Sequence, residues 1–189
     1  MKTLALNILD IVQNSLRAGA KTISISVKES EITDRYTIEI EDDGKGIPAD
    51  ILRKVTDPFV TTRTKRRMGM GLALLKHHAE LTGGYLEVES KEGTGTIVRA
   101  SFCNSHFDRQ PLGDIGGIMK ILIGANPSLE FIYNHSTDKG SYSFSTAETK
   151  NYLEIIQITD YELLEDIRSM INENLAEIKA SGLELKAGA

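Results

Sequence analysis

The sequence predicts an α+β protein in which a mixed sheet carries helices on one face, followed by a smaller α+β segment. Three observations support this fold class. A helical stripe of apolar residues opens the chain, strand-like alternations follow in pairs, and a second, strongly apolar helix separates the two pairs. A sheet with one apolar face buries that face against such helices, which gives a two-layer sandwich.

The elements of the first half are predicted from apolar spacing and from the residues that stop each run. Gly19 and Gly83 end the two main helices, since glycine readily takes the left-handed conformation of a helix end. Pro48 suits the first turn of a short helix. In order, we predict a helix over 3–18, strands over 22–27 and 36–40, a helix over 48–55, a polar basic loop over 56–68, a helix over 71–81, and strands over 85–90 and 96–102.

The pattern changes after Phe102, and we expect the chain to divide into residues 1–103 and an appended α+β domain at 104–189. The appended part begins with a polar linker that contains Pro111 and Gly113. We predict that it then forms a helix over 114–123, a hairpin of strands over 129–134 and 141–145, and helices over 147–156 and 160–180. Its sequence carries no chemistry that indicates a role.

The composition describes an ordinary globular protein and excludes several classes. No run of eighteen apolar residues occurs, and the N-terminus lacks the cleavage pattern of a signal peptide. The single Cys103 cannot form an internal disulfide, which fits a reducing compartment. The net charge is −5, without the basic field that nucleic acids require. We therefore predict a cytoplasmic protein that binds neither a membrane nor a nucleic acid.

Four segments that carry glycines or carboxylates occur in one order between Asp10 and Thr96. They cover residues 10–14, 42–46, 69–72 and 93–96. A single Gly-x-Gly turn is weak evidence, because such turns are common. Four such segments, in this order and spaced among the predicted strands and helices, indicate one pocket for a nucleotide, and we expect ATP.

Asn14 lies four residues after Asp10 and three before Arg17, so a helix would present all three side chains on one face. An amide oxygen is a suitable ligand for Mg²⁺ beside phosphates. A guanidinium can pair with phosphate oxygens. The alternative interpretation is a solvated polar helix face.

Asp42 ends a predicted strand and is followed by Gly44 and Gly46. Glycines permit a tight turn and the close approach of a flat ring. A carboxylate at that point can accept a hydrogen bond from the adenine amino group. The alternative is an acidic turn closed by glycines.

Gly69, Met70, Gly71 and Leu72 open the predicted helix over 71–81. Backbone amides at a helix start point towards an anion, and the helix dipole favours negative charge there. A basic run precedes this start, and we expect it to form a lid over the triphosphate; a solvated charge run is the alternative. The run contains Arg63, Lys65, Arg66 and Arg67.

These segments resemble the ATPase domain shared by DNA gyrase, the large heat-shock chaperones, histidine kinases and the mismatch-repair MutL proteins, which has the Bergerat fold. The resemblance covers residues 3–102 and is greatest to the histidine-kinase catalytic domain. It implies ATP and Mg²⁺ as cofactors, with Asn14 as the magnesium ligand and Asp42 as the adenine-binding residue. The resemblance and the pattern together give the following candidate ligand-binding residues: Asn14, Arg17, Asp42, Gly44, Gly46, Lys65, Arg67, Gly69, Met70, Gly71, Leu72 and Thr96.

The sequence departs from the family pattern in three places. Asp10 stands where gyrase and MutL have a glutamate as general base, one methylene longer. Arg17 stands where those hydrolases have aspartate. We expect that the strand and helix that normally precede the asparagine helix are missing, and that the appended domain covers the exposed edge. The first two departures favour a kinase-like or binding-only site, with Asp10, Asn14 and Arg17 as the candidate catalytic residues.

Transfer to histidine would need an acceptor, and the chain offers four. We interpret His77 and His78 as structural. The segment around His106 partly resembles the phosphoacceptor box of histidine kinases, but Phe107 follows where that box has an acid, so a polar linker is the default interpretation. The residues around His135 do not indicate a phosphoacceptor role.

Three functions are thus compatible with the sequence. The first is phosphoryl transfer from ATP to a partner protein. The second is a nucleotide-switched binding module with slow or no hydrolysis, and the third is hydrolysis of the gyrase type. The sequence does not indicate which partner or which oligomeric state is involved.

Overall fold

The computed structural model describes residues 3–56 and 71–183. They form one six-stranded sheet with helices packed against it, which confirms the α+β class and the mixed sheet. The helices are α1 (Leu4–Arg17), α2 (Ala49–Leu52), α3 (Gly71–Leu81), α4 (Ile115–Ala125), α5 (Thr146–Tyr152) and α6 (Tyr161–Glu177). The strands are β1 (Thr22–Ser30), β2 (Arg35–Asp42), β3 (Tyr85–Lys91), β4 (Gly95–Cys103), β5 (Glu130–Thr137) and β6 (Gly140–Ser145).

The strand order is β3-β4-β2-β1-β5-β6, and the sheet is mixed because β1 runs antiparallel to β2 and parallel to β5. In this register Ile25 lies opposite Ile40 on one side and Tyr133 on the other. Alternate residues of a strand point to opposite faces. The face that contains these three residues is buried, and the other face carries polar side chains such as Arg99, which pairs with Glu39 at 2.6 Å.

The helices cover the apolar face of the sheet and share one core with it. α1 buries Leu4, Ile8, Ile11 and Val12, which recur at helical spacing. α1 contacts α3 and α4, and α4 in turn contacts α6. No helix in the described part of the chain has the length and apolar character needed to cross a bilayer.

The C-terminal segment continues the sheet of the first 103 residues. β5 pairs along the edge of β1 from Thr22 to Lys28, so the appended segment covers this edge, as we expected from the sequence. The linker also caps α1, since the backbone N–H groups of Leu4 and Ala5 donate to the carbonyls of Pro111 and Leu112 at 2.9 and 2.8 Å. Whether residues 1–103 and 104–189 fold as separate domains stays a prediction.

Three helices are shorter than the sequence predicts, and each has a local reason. After α2 the chain turns with bonds from Lys54 and Val55 to the carbonyls three residues back, which are tighter than α-helical bonds. α5 and α6 end where Glu154 and Lys179 take positive φ values of 54° and 60°. At both ends the backbone N–H of the following residue donates a hydrogen bond to the carbonyl five residues before it, which is the Schellman pattern.

A buried polar network joins β1, β5 and Ser181, which follows α6. Glu29 and His135 are 6% and 1% exposed, and Glu29 Oε1 lies 2.8 Å from His135 Nε2. The backbone N–H and the hydroxyl of Ser181 also donate to the Glu29 carboxylate. Burial raises the pKa of Glu29, but the hydrogen bonds from His135 and Ser181 outweigh that effect, so its pKa lies below the ordinary 4.5.

We expect Glu29→Gln to lower the free energy of unfolding at pH 7 by about 2 kcal/mol, because the charge-assisted hydrogen bonds are lost. The folded-state pKa is lowered, so the stabilisation by ionised Glu29 is complete above pH 4.5 and disappears as the pH falls through that lowered value. Urea unfolding from pH 7 to pH 3 should therefore show the variant and the unmodified protein converging in acid. Glu31→Gln, in the exposed turn after β1, is the control and should follow the unmodified protein. Equal stability of Glu29→Gln and the unmodified protein at pH 7 would contradict this role.

Candidate nucleotide-binding site

Asp42 is the last residue of β2 and is only 8% exposed. Its Oδ2 accepts a hydrogen bond from the Ser15 hydroxyl at 2.6 Å, and its Oδ1 accepts one from the Gly44 backbone N–H at 2.9 Å. The carboxylate is thus oriented by α1 on one side and by the following turn on the other. A carboxylate has about four acceptor positions, so these two bonds leave capacity for a donor on a ligand.

The turn after β2 can form only with glycine at position 46. Gly46 has a φ of +69°, and a side chain there would overlap the carbonyl oxygen of Lys91. This close approach brings the turn after Asp42 against the turn between β3 and β4, where the Gly93 N–H donates to the Lys45 carbonyl at 2.8 Å. The glycine-bearing segments at 42–46 and 93–96 therefore lie against each other.

Thr96 lies directly opposite Asp42 in the antiparallel pairing of β2 with β4. Its hydroxyl is 2.9 Å from the Ser90 hydroxyl, and the Ser90 hydroxyl accepts a bond from the Ile47 N–H at 2.8 Å. Thr96 is also almost fully buried. Asp42, Thr96 and Ser90 thus lie together on three neighbouring strands, β2, β4 and β3.

Asp10 and Gly71 meet where α1 packs on α3. A side chain at position 71 would overlap Asp10 Oδ2, so the carboxylate lies directly against the first residue of α3. One turn further along α1, the exposed Asn14 accepts a hydrogen bond from Arg17 Nη1 at 2.9 Å. The three predicted polar residues of α1 therefore lie on its side near α3, with Asn14 directly before Ser15 in the chain.

The structure brings together four of the nine predicted catalytic and ligand-binding residues that it describes. Asp42, Gly44, Gly46 and Thr96 meet at one end of the sheet, while Leu72 is half-buried and packs against the core. Part of the prediction lies outside the described residues, namely the lid and the first two residues of the segment at 69–72. The predicted residues concerned are Arg63, Lys65, Arg66, Arg67, Gly69 and Met70.

Two residues that orient the site were not among the sequence candidates. Ser15 occupies a buried position on the apolar stripe of α1, in line with Ile8 and Ile11, and a polar residue at such a position is a signal that could have been noticed. Asp43 accepts bonds from the backbone N–H groups of Thr22 and Lys21 at 3.0 and 2.6 Å. These bonds hold the pKa of Asp43 below its usual value and fix the end of β2 beside the start of β1.

The four histidines have different surroundings. His135 is enclosed in the Glu29 network, so it is not accessible to a nucleotide. Burial lowers the pKa of His78, as does the charge of His77, which favours a neutral ring at pH 7. His106 stacks on Phe107, and its Nδ1 accepts a bond from the Asp108 N–H at 3.2 Å.

The donor chemistry on α1 fits a magnesium ion bound together with phosphates. Asn14 supplies an amide oxygen and Asp10 a carboxylate, and Mg²⁺ prefers oxygen ligands and usually takes only one or two from the protein. Within the described ranges no group of three or more His, Cys, Asp or Glu side chains could hold a metal by itself.

We expect Gly46→Ala to lower the free energy of unfolding by about 3 kcal/mol, because it adds an overlap with a backbone carbonyl to the strain of a left-handed residue. Gly93→Ala is a matched control, since Gly93 has a φ of +78° but no atom within 4 Å of the added carbon. That change should cost about 1 kcal/mol from backbone strain alone. Denaturant unfolding of both variants measures the difference, and equal losses would contradict the close approach at Lys91.

The chain is similar to segments of several bacterial sensor kinases. It is 38% identical over 92 residues to the sensor histidine kinase ZraS of Salmonella typhimurium, covering 48% of this chain and 19% of that protein. It is 41% identical over 82 residues to the sensor kinase CckA of Brucella abortus, covering 43% of this chain and 9% of that protein. The chain thus spans less than a fifth of the length of these relatives.

One solved structure resembles more of the chain. The N-terminal domain of a DNA repair protein superposes with a TM-score of 0.51 at 18% identity, covering 77% of this chain and 52% of that one. At this identity the likeness concerns the fold alone. It is consistent with the Bergerat fold that we expected from the sequence.

The family comparison agrees with the position of the site residues in the chain. The model for the histidine kinase-, DNA gyrase B- and HSP90-like ATPase family matches residues 2–105, which include all of α1, β1, β2, α3, β3 and β4. The match covers more than half of the sequence. The chain therefore belongs to the histidine kinase-, DNA gyrase B- and HSP90-like ATPase family.

Proposed function

We propose that this protein binds ATP with Mg²⁺ and transfers the terminal phosphoryl group to a partner protein. The observation that carries the proposal is the Asp42 carboxylate, oriented by Ser15 and Gly44 at the end of β2. Ser15 follows Asn14 on the same helix. One helix therefore links the group that would select adenine to the group that would hold the metal.

Each described residue then has a physical role. Asp42 accepts a hydrogen bond from the adenine amino group through its remaining acceptor capacity. The start of α3 at Gly71 offers backbone N–H groups and the positive end of a helix dipole to the phosphates. Asn14 would hold Mg²⁺, which neutralises phosphate charge when bound. Arg17 lies within hydrogen-bond distance of Asn14 and would pair with a phosphate oxygen.

Asp10 supports transfer over hydrolysis. A general base must lie within hydrogen-bond reach of the water that it activates. Asp10 has the shorter acidic side chain, and its carboxylate packs against Gly71 at the start of α3. In the proposed reaction a nucleophilic side chain of the partner bonds to the γ-phosphorus while the bond to the β–γ bridging oxygen breaks. ADP leaves, and the acceptor gives up its proton to solvent.

The same contact favours a second candidate, an ATP-switched binding module. A carboxylate at the start of α3 is repelled by a phosphate that arrives there, since like charges at short range disfavour each other. ATP binding would then displace the Asp10 carboxylate from the start of α3. Such a movement changes the surface of the protein without breaking a phosphate bond.

Two further parts of the proposal concern organisation. Residues 1–103 would hold the nucleotide, and residues 104–189 would contact the partner. We place the protein in the cytoplasm because its single cysteine, Cys103, is a free thiol.

We expect Ser15→Ala to weaken ATP binding about fivefold, because the loss of one hydrogen bond, worth about 1 kcal/mol, frees the Asp42 carboxylate. Asp42→Ala should bind no measurable ATP. Ser24→Ala is the control, since Ser24 lies on the polar face of β1 away from the site. Titration calorimetry measures all three variants, and normal binding by Asp42→Ala would show that the adenine role is misassigned.

The function is tested by incubating the full chain with γ-labelled ATP and Mg²⁺, alone and with cell extract. We expect label on a protein of the extract and none with Asn14→Ala, which lacks the proposed metal ligand. Thr33→Ala changes an exposed residue in the turn between β1 and β2 and should transfer normally. Steady release of free phosphate would indicate hydrolysis of the gyrase type instead. ATP binding with neither product would select the switch.

A further inference from the structure

The two edge strands of the sheet differ in how they are protected. β3 carries Glu87, Glu89 and Lys91, and charges on an edge strand discourage pairing with other chains. β6, at the other edge, has the sequence Gly-Ser-Tyr-Ser-Phe-Ser, without a charge or a proline. No strand in the described ranges pairs with its outer side. The backbone groups of that side remain available to an added strand.

A groove of about 440 Å³ lies between β6, α5 and α6. Tyr142 and Phe144 of β6 contribute one wall, and Tyr152 and Met170 contribute from the two helices. Tyr152 is 88% exposed, although it is a large aromatic residue. Aromatic and methionine side chains at the centre of a surface patch are typical of protein interfaces.

The geometry of a sheet connects this edge with the groove. Tyr142 and Phe144 point to the helix side of β6, while Ser141 and Ser143 are exposed. A strand added beside β6 alternates in the same way, so every second side chain would enter the groove. The backbone would then supply affinity and the groove would supply selection, as in strand-addition complexes.

The charges of the groove indicate what it binds. Among the residues that the structure describes, its charged lining residues are Glu148 and Asp166, and none of its lining residues is a lysine or arginine. A second copy of this chain would bring the same acidic residues towards each other, which costs free energy. A segment with lysine or arginine beside its apolar residues would complement them.

We propose that β6 and this groove bind an extended segment of a partner protein, with apolar residues at alternate positions and basic residues at its ends. The segment adds a seventh strand to the sheet. The surface lies at the β6 edge, whereas the nucleotide site lies at the end of β2 and β4, so this binding does not depend on Asp42.

The test is selection of a displayed library of random twelve-residue peptides on the full chain. We expect enriched peptides with alternating apolar residues and net positive charge. Their binding, measured by fluorescence anisotropy, should slow hydrogen exchange in β6. Asp166→Lys should weaken peptide binding about tenfold, and Tyr152→Ala, at an exposed residue, should also weaken it. Glu177→Lys makes the same charge change 11 residues, about 16 Å, further along α6 and should leave binding unchanged.

Several results would overturn the proposal. They are an absence of enrichment, enriched peptides without alternation or positive charge, exchange protection away from β6, and equal binding by Asp166→Lys and Glu177→Lys. Sedimentation velocity provides a further test. A dimer that Ser141→Lys dissociates would show that a second copy occupies the edge instead. Asp42→Ala should bind the peptides normally, which separates this proposal from the nucleotide site.

Discussion

The parallel pairing of β5 with β1 is the contact on which the rest of the architecture depends. It places β1 in the interior of the sheet, with β2 on its other side. The inward residues of β1 are then covered from both sides by neighbouring strands and from above by helices. Glu29 and His135 lie on this boundary and are buried because the two strands are adjacent. A carboxylate is rarely buried without such partners.

The candidate site is a consequence of where the strands of this sheet end. Asp42 closes β2, Thr96 lies opposite it at the start of β4, and Asp43 attaches the same point to the start of β1. Ser15 reaches the carboxylate from α1, whose packing on the sheet sets the distance. Rigid elements thus supply Ser15 and Thr96, and the tight turn after β2 supplies the Gly44 N–H. This arrangement suits a site that must hold a flat ring in one orientation.

Helix ends show which local features are legible in a sequence. α1 and α3 end in Schellman turns at Gly19 and Gly83, and in both cases the glycine in the sequence predicts the positive φ of the turn. α5 and α6 end in the same hydrogen-bond pattern at Glu154 and Lys179, and nothing in those residue types indicates a positive φ. The strained conformation is set by surrounding structure, so the sequence predicted both helices but placed their ends too late.

The sequence by itself determined the class of fold, the order of the elements and most of the residues at the sheet end, because apolar periodicity and glycine positions act locally. It also pointed to the family. The tertiary structure alone decided that β5 joins β1, that Ser15 holds Asp42 and that Asp10 rests on Gly71. Each of these contacts joins residues far apart in the chain, and their pairing follows from strand register and helix packing, which no local pattern encodes.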